Sequence, residues 1–401
     1  MTSLLYLASV DLPHRKARAI QIVNTAHALA RSGVDVTLVG GRRGPARTSR
    51  VLSPYGLTPH ARLRILRPPV LRLPRCLERW YTRIWQLSYL LGLLALMPSL
   101  FRRGLPDAIL VRDLRLAWLL CRFGRAIRQR LIYEVHDLSS LEAELKGDHL
   151  EGARLKKSEE VVFARVPRVI CITSELKRLI AERHGRHPET MAVIPDGTNA
   201  QLGPCDDSSS RNGVYYVGQL YAWKGVDTLI HAAAEYQSTE YVIVGGTEEP
   251  GAEDRDANRL IELSKQLGVQ DRVKFTGWVP YRRIPEILRD AAVTVIPLPD
   301  TPFGRYFTSP LKLFDYMAAG VPIVASDLPS LRDVLHDEVN ALLVQPNDPM
   351  AMAAAIARLH CEPELAKRLG RQARYDVQRY TWNARAAQIN AYITQPNARQ
   401  Q

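Results

Sequence analysis

The fold class this sequence predicts is α/β, with two doubly wound domains. Three observations carry that reading. Short runs rich in Val, Ile and Leu alternate with helical patterns along most of the chain, as successive βαβ units do. The 401 residues suit two domains of ordinary size, each with its own core. Between two series of such units lies a polar stretch, 201–212 (QLGPCDDSSSRN), with the composition of a linker. The expected boundaries are therefore 1–197 and 210–380.

In the first half, residues 4–10 read as a buried strand and 11–19 as a loop. Residues 20–30 read as a helix, with Ile20, Val23, His27 and Ala30 on one side and Gly33 beyond its end. A second strand, 34–39, completes the unit. Arg15, Lys16 and Arg18 make the loop basic; it is either a solvated loop or a contact for an anionic acceptor or a phosphate. Gly40-Gly41-Arg42-Arg43-Gly44 has the glycine content of a phosphate loop, but no helical pattern follows, so it reads as a turn.

Residues 60–105 differ from the rest. They hold nine arginines against the single acid Glu78, and so supply +8 of the net charge of +13. Such asymmetry suits an anionic surface. Within them, 84–101 is eighteen residues without charge, broken by Pro98. That is the short limit for a membrane span. The reading is a core helix with an interfacial edge, in which Trp85, Tyr89 and the preceding Trp80 and Tyr81 are candidates for the edge.

Strands follow at 107–112 and 131–135. The second ends in Glu134-Val135-His136-Asp137, so His136 stands at the carboxyl end of a parallel strand, where α/β proteins place ligands. The alternative is a histidine bonded to loop backbone. Residues 169–173 make another strand, with Ser174 expected to cap the next helix. Pro195-Asp196-Gly197 is a turn.

The second half repeats the plan. After strand 213–217 comes the loop 218–225, which aims Lys224 and backbone donors at the sheet edge, and then helix 226–236. Strand 241–244 ends in Gly245-Gly246, and strand 273–276 in the turn Gly277-Trp278-Val279-Pro280, where Trp278 could also simply pack between domains. Strand 293–297 precedes TSPLKLFDYMAAGVPIVASD, residues 308–327. There Ser309 and Pro310 have the order of a helix cap and first position, Leu311, Phe314 and Ala318 share a face, Gly320 is the stop, and 323–325 is a strand. A lysine in the first turn, Lys312, opposes the helix dipole unless an anion sits between them. Asp315 lies one turn deeper; an ordinary surface pair with Lys312 is the plain alternative. Helices run from 349 to 393.

The acidic pairs Asp206-Asp207 and Asp254/Asp256 read as linker charge and helix-start acids, so no metal site is expected. Five scattered cysteines, at 76, 121, 171, 205 and 361, fit a reducing compartment, and the N-terminal stretch reads as a strand rather than a leader. No nucleic-acid module is visible.

The stretch SPLKLFDYMAAGVPIVAS closely resembles the donor-site motif of the retaining, nucleotide-sugar-dependent glycosyltransferases of family four (group 1). That resemblance implies the GT-B fold: two Rossmann-like domains facing across a cleft, with a last helix, here 381–395 after Tyr380-Thr381-Trp382-Asn383, crossing back to the N-terminal domain. It implies that Thr308, Ser309, Pro310, Leu311 and Lys312 hold the donor diphosphate and that Asp315, usually Glu, takes the ribose hydroxyls. Phe307 stands where a second, sugar-contacting Glu is usual. Gly218 to Lys224 resembles the family's second phosphate element, with Lys224 matching and Gln219 in place of an arginine. Gly277, Trp278 and Val279 would meet the base through backbone groups, and His136 would face the donor sugar or the acceptor.

The implied activity is transfer of a sugar from a nucleotide-diphospho-sugar, a co-substrate, to a lipid-linked or cell-surface polysaccharide precursor. No cofactor or metal would take part, and Lys224 and Lys312 would stabilise the leaving diphosphate. The expected setting is cytoplasmic, with peripheral contact to an anionic membrane. Rival readings are an epimerase or phosphorylase on the same fold, a catalytically weakened nucleotide-binding subunit, and, from charge alone, a nucleic-acid binder.

Overall fold

The computed structural model describes residues 2–14, 16–42, 48–71, 78–102, 104–199, 211–247 and 253–395, without the side chains of 78–83. The chain forms two compact units, Met1–Pro195 with Trp382–Gln401, and Asp196–Thr381. Most of the expected linker, with Asp206-Asp207, lies outside the described residues, as do Arg15, Cys76 and Cys205.

Unit 1 is built on a parallel sheet of β1 (Ser3–Leu12), β2 (Asp35–Arg42), β3 (Leu63–Leu66), β4 (Ala108–Val111), β5 (Leu131–Val135), β6 (Arg168–Cys171) and β7 (Met191–Val193). Their order is β3-β2-β1-β4-β5-β6-β7. β4 and β5 are buried at every position, as strands covered on both faces must be. The helix Trp382–Thr394 packs on Ala17–Arg31 and so belongs to this unit.

Three local expectations need correction. Gly40-Gly41-Arg42 is not a turn but the end of β2, pairing with the end of β1. Glycine is needed there because a Cβ on Gly41 would stand 2.6 Å from the Trp85 ring; the rest of that motif lies outside the described residues. The short edge strand β3 lies inside the arginine-rich segment, where no strand was expected. The helix Ser174–His184 is capped by Thr173, whose Oγ1 accepts from the Leu176 N–H at 3.1 Å, rather than by Ser174.

The uncharged run belongs to the helix Glu78–Leu100. Trp85, Tyr89 and Leu93 are buried, while Leu87, Leu91 and Leu94 are exposed on another face. The two aromatics are thus core residues rather than an interfacial edge: the Trp85 indole donates to Asp11 Oδ1 at 3.0 Å and the Tyr89 hydroxyl to Val39 O at 3.0 Å. Trp80 and Tyr81 have no described side chains. Among the described residues no helix is long and apolar enough to cross a membrane.

Unit 2 carries a second parallel sheet: β8 (Val214–Val217), β9 (Tyr241–Val244), β10 (Val273–Gly277), β11 (Val293–Ile296), β12 (Ile323–Ser326) and β13 (Leu342–Val344). The order β10-β9-β8-β11-β12-β13 places β8 between β9 and β11. Chain direction across the sheet reverses there, which opens a crevice at the carboxyl ends of those strands. One core gathers Tyr216, Leu229, Ile243 and Ile356. The other gathers Val244, Phe314, Met317 and Leu331.

Candidate functional site

At the carboxyl edge of the unit 2 sheet, the turns after β8, β9 and β10 touch through their backbones. The Gly218 N–H donates to Val244 O at 2.8 Å, and the Gly245 N–H to Gly277 O at 3.1 Å. A Cβ on Gly245 would lie 1.8 Å from Gly218 O, so only glycine permits this approach. Gly218 and Gly277, with the half-buried Trp278 and Val279, are therefore brought together.

The two lysines converge on the same edge. Gly225, at φ 71°, turns the chain so that the short helix Ala222–Lys224 sits against Pro297. Lys224 Nζ lies 3.8 Å from the Trp223 ring centroid and Lys312 Nζ 3.5 Å from that of Tyr216. Lys312 rests on Gly218, where a Cβ would come within 2.8 Å of its Nζ. Burial pushes the Lys224 ammonium down to about 8. Burial and then the charge of Lys224 push Lys312 well below the ordinary lysine range. Among the described residues, no carboxylate figures in the charges acting on either. Two half-buried lysines, one of which feels the charge of the other and neither of which is offset by a carboxylate among the described residues, suit an anion.

The helix behind Lys312 spans Leu311–Ala319 and ends at Gly320 in the left-handed conformation. Its cap is Pro310, in extended conformation and without a side-chain hydrogen bond, not Ser309 as the sequence suggested. Ser309 Oγ instead accepts from the Asp196 N–H at 3.3 Å, and Thr308 Oγ1 donates to Phe303 O at 2.8 Å. The first turn is left without a side-chain cap and without an acidic residue, so its N–H groups and dipole remain available to an anion.

Asp315 is buried and makes no ion pair with Lys312 among the described residues. Its Oδ1 accepts from the Thr198 hydroxyl at 2.6 Å and the Tyr281 hydroxyl at 3.0 Å. Burial pushes this carboxyl up to about 6, against the pull of those two hydroxyls. Phe307 is buried against Phe303 at 5.5 Å, and Phe303 against Trp223 at 5.0 Å. A run of aromatic rings thus stands beside Lys224 where the family pattern has a carboxylate.

His136 lies in unit 1, one residue past β5, and is held by a buried network that the sequence reading did not resolve. Its Nε2–H donates to Glu134 Oε1 at 2.7 Å. That carboxylate also accepts from Arg385 Nη2 at 2.6 Å, Gln21 Nε2 at 2.6 Å and the Tyr6 hydroxyl at 3.1 Å. Burial raises Glu134, but the Arg385 guanidinium and the His136 hydrogen bond outweigh it and hold the carboxyl below its usual range. Burial and the Arg112 charge push His136 down to about 3, so its imidazole is neutral. Signals for the missed residues were present. Glu134 is an ionisable group inside an otherwise apolar strand, and Arg385 lies between Trp382 and Ile389 on the buried stripe of its helix.

Two family models match in tandem and together cover most of the chain: Glycosyl transferase 4-like domain over residues 19–197 and Glycosyl transferases group 1 over residues 207–376. The chain is a member of the group 1, family four glycosyltransferases. Its fold is GT-B. It is 31% identical over 290 residues to the D-inositol 3-phosphate glycosyltransferase of Acidothermus cellulolyticus, covering 66% of this chain and 63% of that protein. To the protein of the same name from Nocardia farcinica it is 27% identical over 287 residues, covering 66% and 62%. The matched stretch thus spans less than two thirds of these relatives. Among solved structures it is similar to a sucrose-phosphate synthase from Thermosynechococcus elongatus, with a TM-score of 0.74, 22% identity and 98% of each chain covered. It is also similar to HepE from Anabaena in complex with UDP, with a TM-score of 0.71, 18% identity and 98% and 100% covered.

Proposed function

We propose that this protein is a retaining glycosyltransferase that moves a sugar from a nucleotide-diphospho-sugar to an acceptor without the help of a metal. The observation that carries this reading is the pair Lys224 and Lys312, half-buried, without carboxylate partners among the described residues, and set beside an uncapped helix start. Such a site holds a diphosphate and stabilises the charge that develops as it leaves. Asp315 Oδ2, without a hydrogen bond among the described residues, takes a ribose hydroxyl, and the turn Gly277-Trp278-Val279 meets the base. His136 takes a hydroxyl of the transferring sugar or of the acceptor. No carboxylate is assigned as nucleophile; as the family resemblance implies, the acceptor attacks on the face that the diphosphate leaves.

The acceptor is a lipid-linked or surface-polysaccharide precursor, met at the inner face of an anionic membrane in the cytoplasm. The exposed face Leu87, Leu91 and Leu94, with Arg64 and Arg102 near the C-terminal end of the same helix, suits such a surface. The apolar ring of Phe307 separates this protein from family members with a carboxylate there.

A thermal-shift panel of nucleoside diphosphates tests the donor site: a ligand at about a hundred times its dissociation constant stabilises by about 2.7 kcal/mol. Turnover of the matching nucleotide-sugars, in the presence and absence of a chelator, follows. Binding without transfer would reduce the protein to a nucleotide-binding subunit, and no stabilisation by any nucleotide would remove the reading. Product analysis by anomeric configuration separates transfer with retention from epimerisation or phosphorolysis.

A further inference from the structure

The network around His136 has a geometry that goes beyond that reading while resting on it. Glu134 is the penultimate residue of β5, fully buried, and receives donors from β1, from two helices and from His136 just past its own strand. Arg385, on the helix Trp382–Thr394, is equally enclosed: its Nη1 donates to Ile194 O and Pro195 O, both at 2.6 Å, and its Nε to Thr25 Oγ1 at 3.2 Å. Gln21 has its amide orientation set by Arg112 Nη1, which donates to Gln21 Oε1 at 2.8 Å, so that its NH2 must face Glu134. The carboxylate is thus over-determined in position and in charge. A packed apolar strand would be the less costly core, since removing two charges from water costs several kcal/mol per ion before attraction offsets it.

We infer that Glu134 and Arg385 are positioning residues that hold His136 as the neutral Nε2–H tautomer, so that its Nδ1 lone pair accepts a hydrogen bond from a hydroxyl of the transferring sugar or the acceptor. The reasoning is geometric. Oε1 of an ionised carboxylate can only accept, so the ring nitrogen 2.7 Å from it must carry the proton. A neutral ring with its proton on Nε2 has its lone pair on Nδ1, and among the described residues Nδ1 has no hydrogen-bond donor. Protonating the ring would add a third cation to Arg385 and Arg112 around one carboxylate, which the burial of the site opposes. His136 itself stands at the carboxyl edge of the sheet, beyond β5, with its side chain still 9% exposed. Arg385 then has a second consequence: the C-terminal helix completes the site of the first unit.

The test has two independent readouts. Nitrogen-15 spectra of the histidine side chains report the tautomer with no substrate present. In the parent, His136 should show the Nε2–H pattern, unchanged from about pH 8 to about pH 5, because its lowered pKa keeps it neutral throughout. Glu134→Gln offers an amide whose NH2 can face the ring, and the spectrum should shift toward the Nδ1–H form. Because that variant leaves Arg385 buried without its carboxylate, the double variant Glu134→Gln/Arg385→Gln removes both charges and keeps the comparison available if the single one does not fold. Turnover should fall by about tenfold or more with the donor KM changed less than about twofold, since the lost contact is to the reacting sugar or acceptor and not to the nucleotide. A parent spectrum in the Nδ1–H form, or one that titrates near pH 6.5, would overturn the inference whatever the activity. If the tautomer is as stated but no nucleotide-sugar is turned over, the positioning stands and the proposed reaction fails.

Discussion

Replacing Lys224 by methionine separates a lysine kept for a ligand from one kept for the fold. Methionine keeps most of the apolar stem and loses the ammonium, and with it the contact of Nζ with the Trp223 ring. In the folded protein burial lowers the ammonium from its ordinary 10.5 to about 8. At about 1.4 kcal/mol per unit, charging it costs about 3 kcal/mol at neutral pH. The contact with the Trp223 ring returns about 1 kcal/mol. Lys224→Met should therefore be more stable than the parent by about 2 kcal/mol without ligand. The pH dependence has a definite sign. Below about pH 8 the folded lysine is charged and the cost is constant. Between about pH 8 and 10.5 the folded lysine is neutral while the unfolded chain still binds the proton, so the parent gains stability as pH rises and the difference closes. With a saturating nucleoside diphosphate present this advantage should shrink to about zero or reverse, because one charge-assisted contact worth about 1.5–3 kcal/mol is gone, or about tenfold to a hundredfold in affinity. Urea unfolding at about pH 7 and about pH 10, with and without nucleotide, reads both effects. A variant that is less stable without ligand and binds nucleotide as well as the parent would refute the reasoning.

Further predictions concern other parts of both units. His136→Ala should lower kcat while leaving donor affinity near that of the parent; equal kcat would make His136 a loop residue. Asp315 has its folded pKa raised from 3.8 to about 6, so the parent should lose up to about 3 kcal/mol as pH rises from about 4 to about 6. Asp315→Asn, which keeps the acceptor for Thr198 and Tyr281, should not show that loss, and parallel pH profiles would contradict the burial argument. Gly245→Ala places a Cβ 1.8 Å from Gly218 O and should destabilise unit 2 by more than about 2 kcal/mol in chemical unfolding. Leu87, Leu91 and Leu94 changed together to serine should leave the unfolding midpoint near that of the parent but reduce co-flotation with anionic liposomes. Flotation that high salt fails to reverse, or none by the parent at low salt, would remove the membrane proposal.

What the sequence determined by itself is the fold and the position of the loops that follow its strands. Strands such as Ala108–Val111 and Tyr241–Val244 are contiguous and apolar, and helix stops such as Gly320 are local events, so pattern and turn chemistry suffice to read them. The sequence also placed His136 at a strand end, Lys224 in the loop after a strand and Lys312 in the first turn of a helix, and in a parallel sheet each strand delivers its carboxyl end to the same edge. What only the tertiary structure decided is what surrounds those residues. The distance from Asp315 to Thr198, the rings packed around Phe307, the edge strand β3 and the burial of Trp85 depend on which segments meet, and no local pattern carries that information. The clearest case is Glu134. Its charge within an apolar strand announced a buried partner, but the partner is 251 residues away on the last helix. Only folding brings Arg385 there, and the pairing of the two charges in a medium that excludes water makes both tolerable in the core.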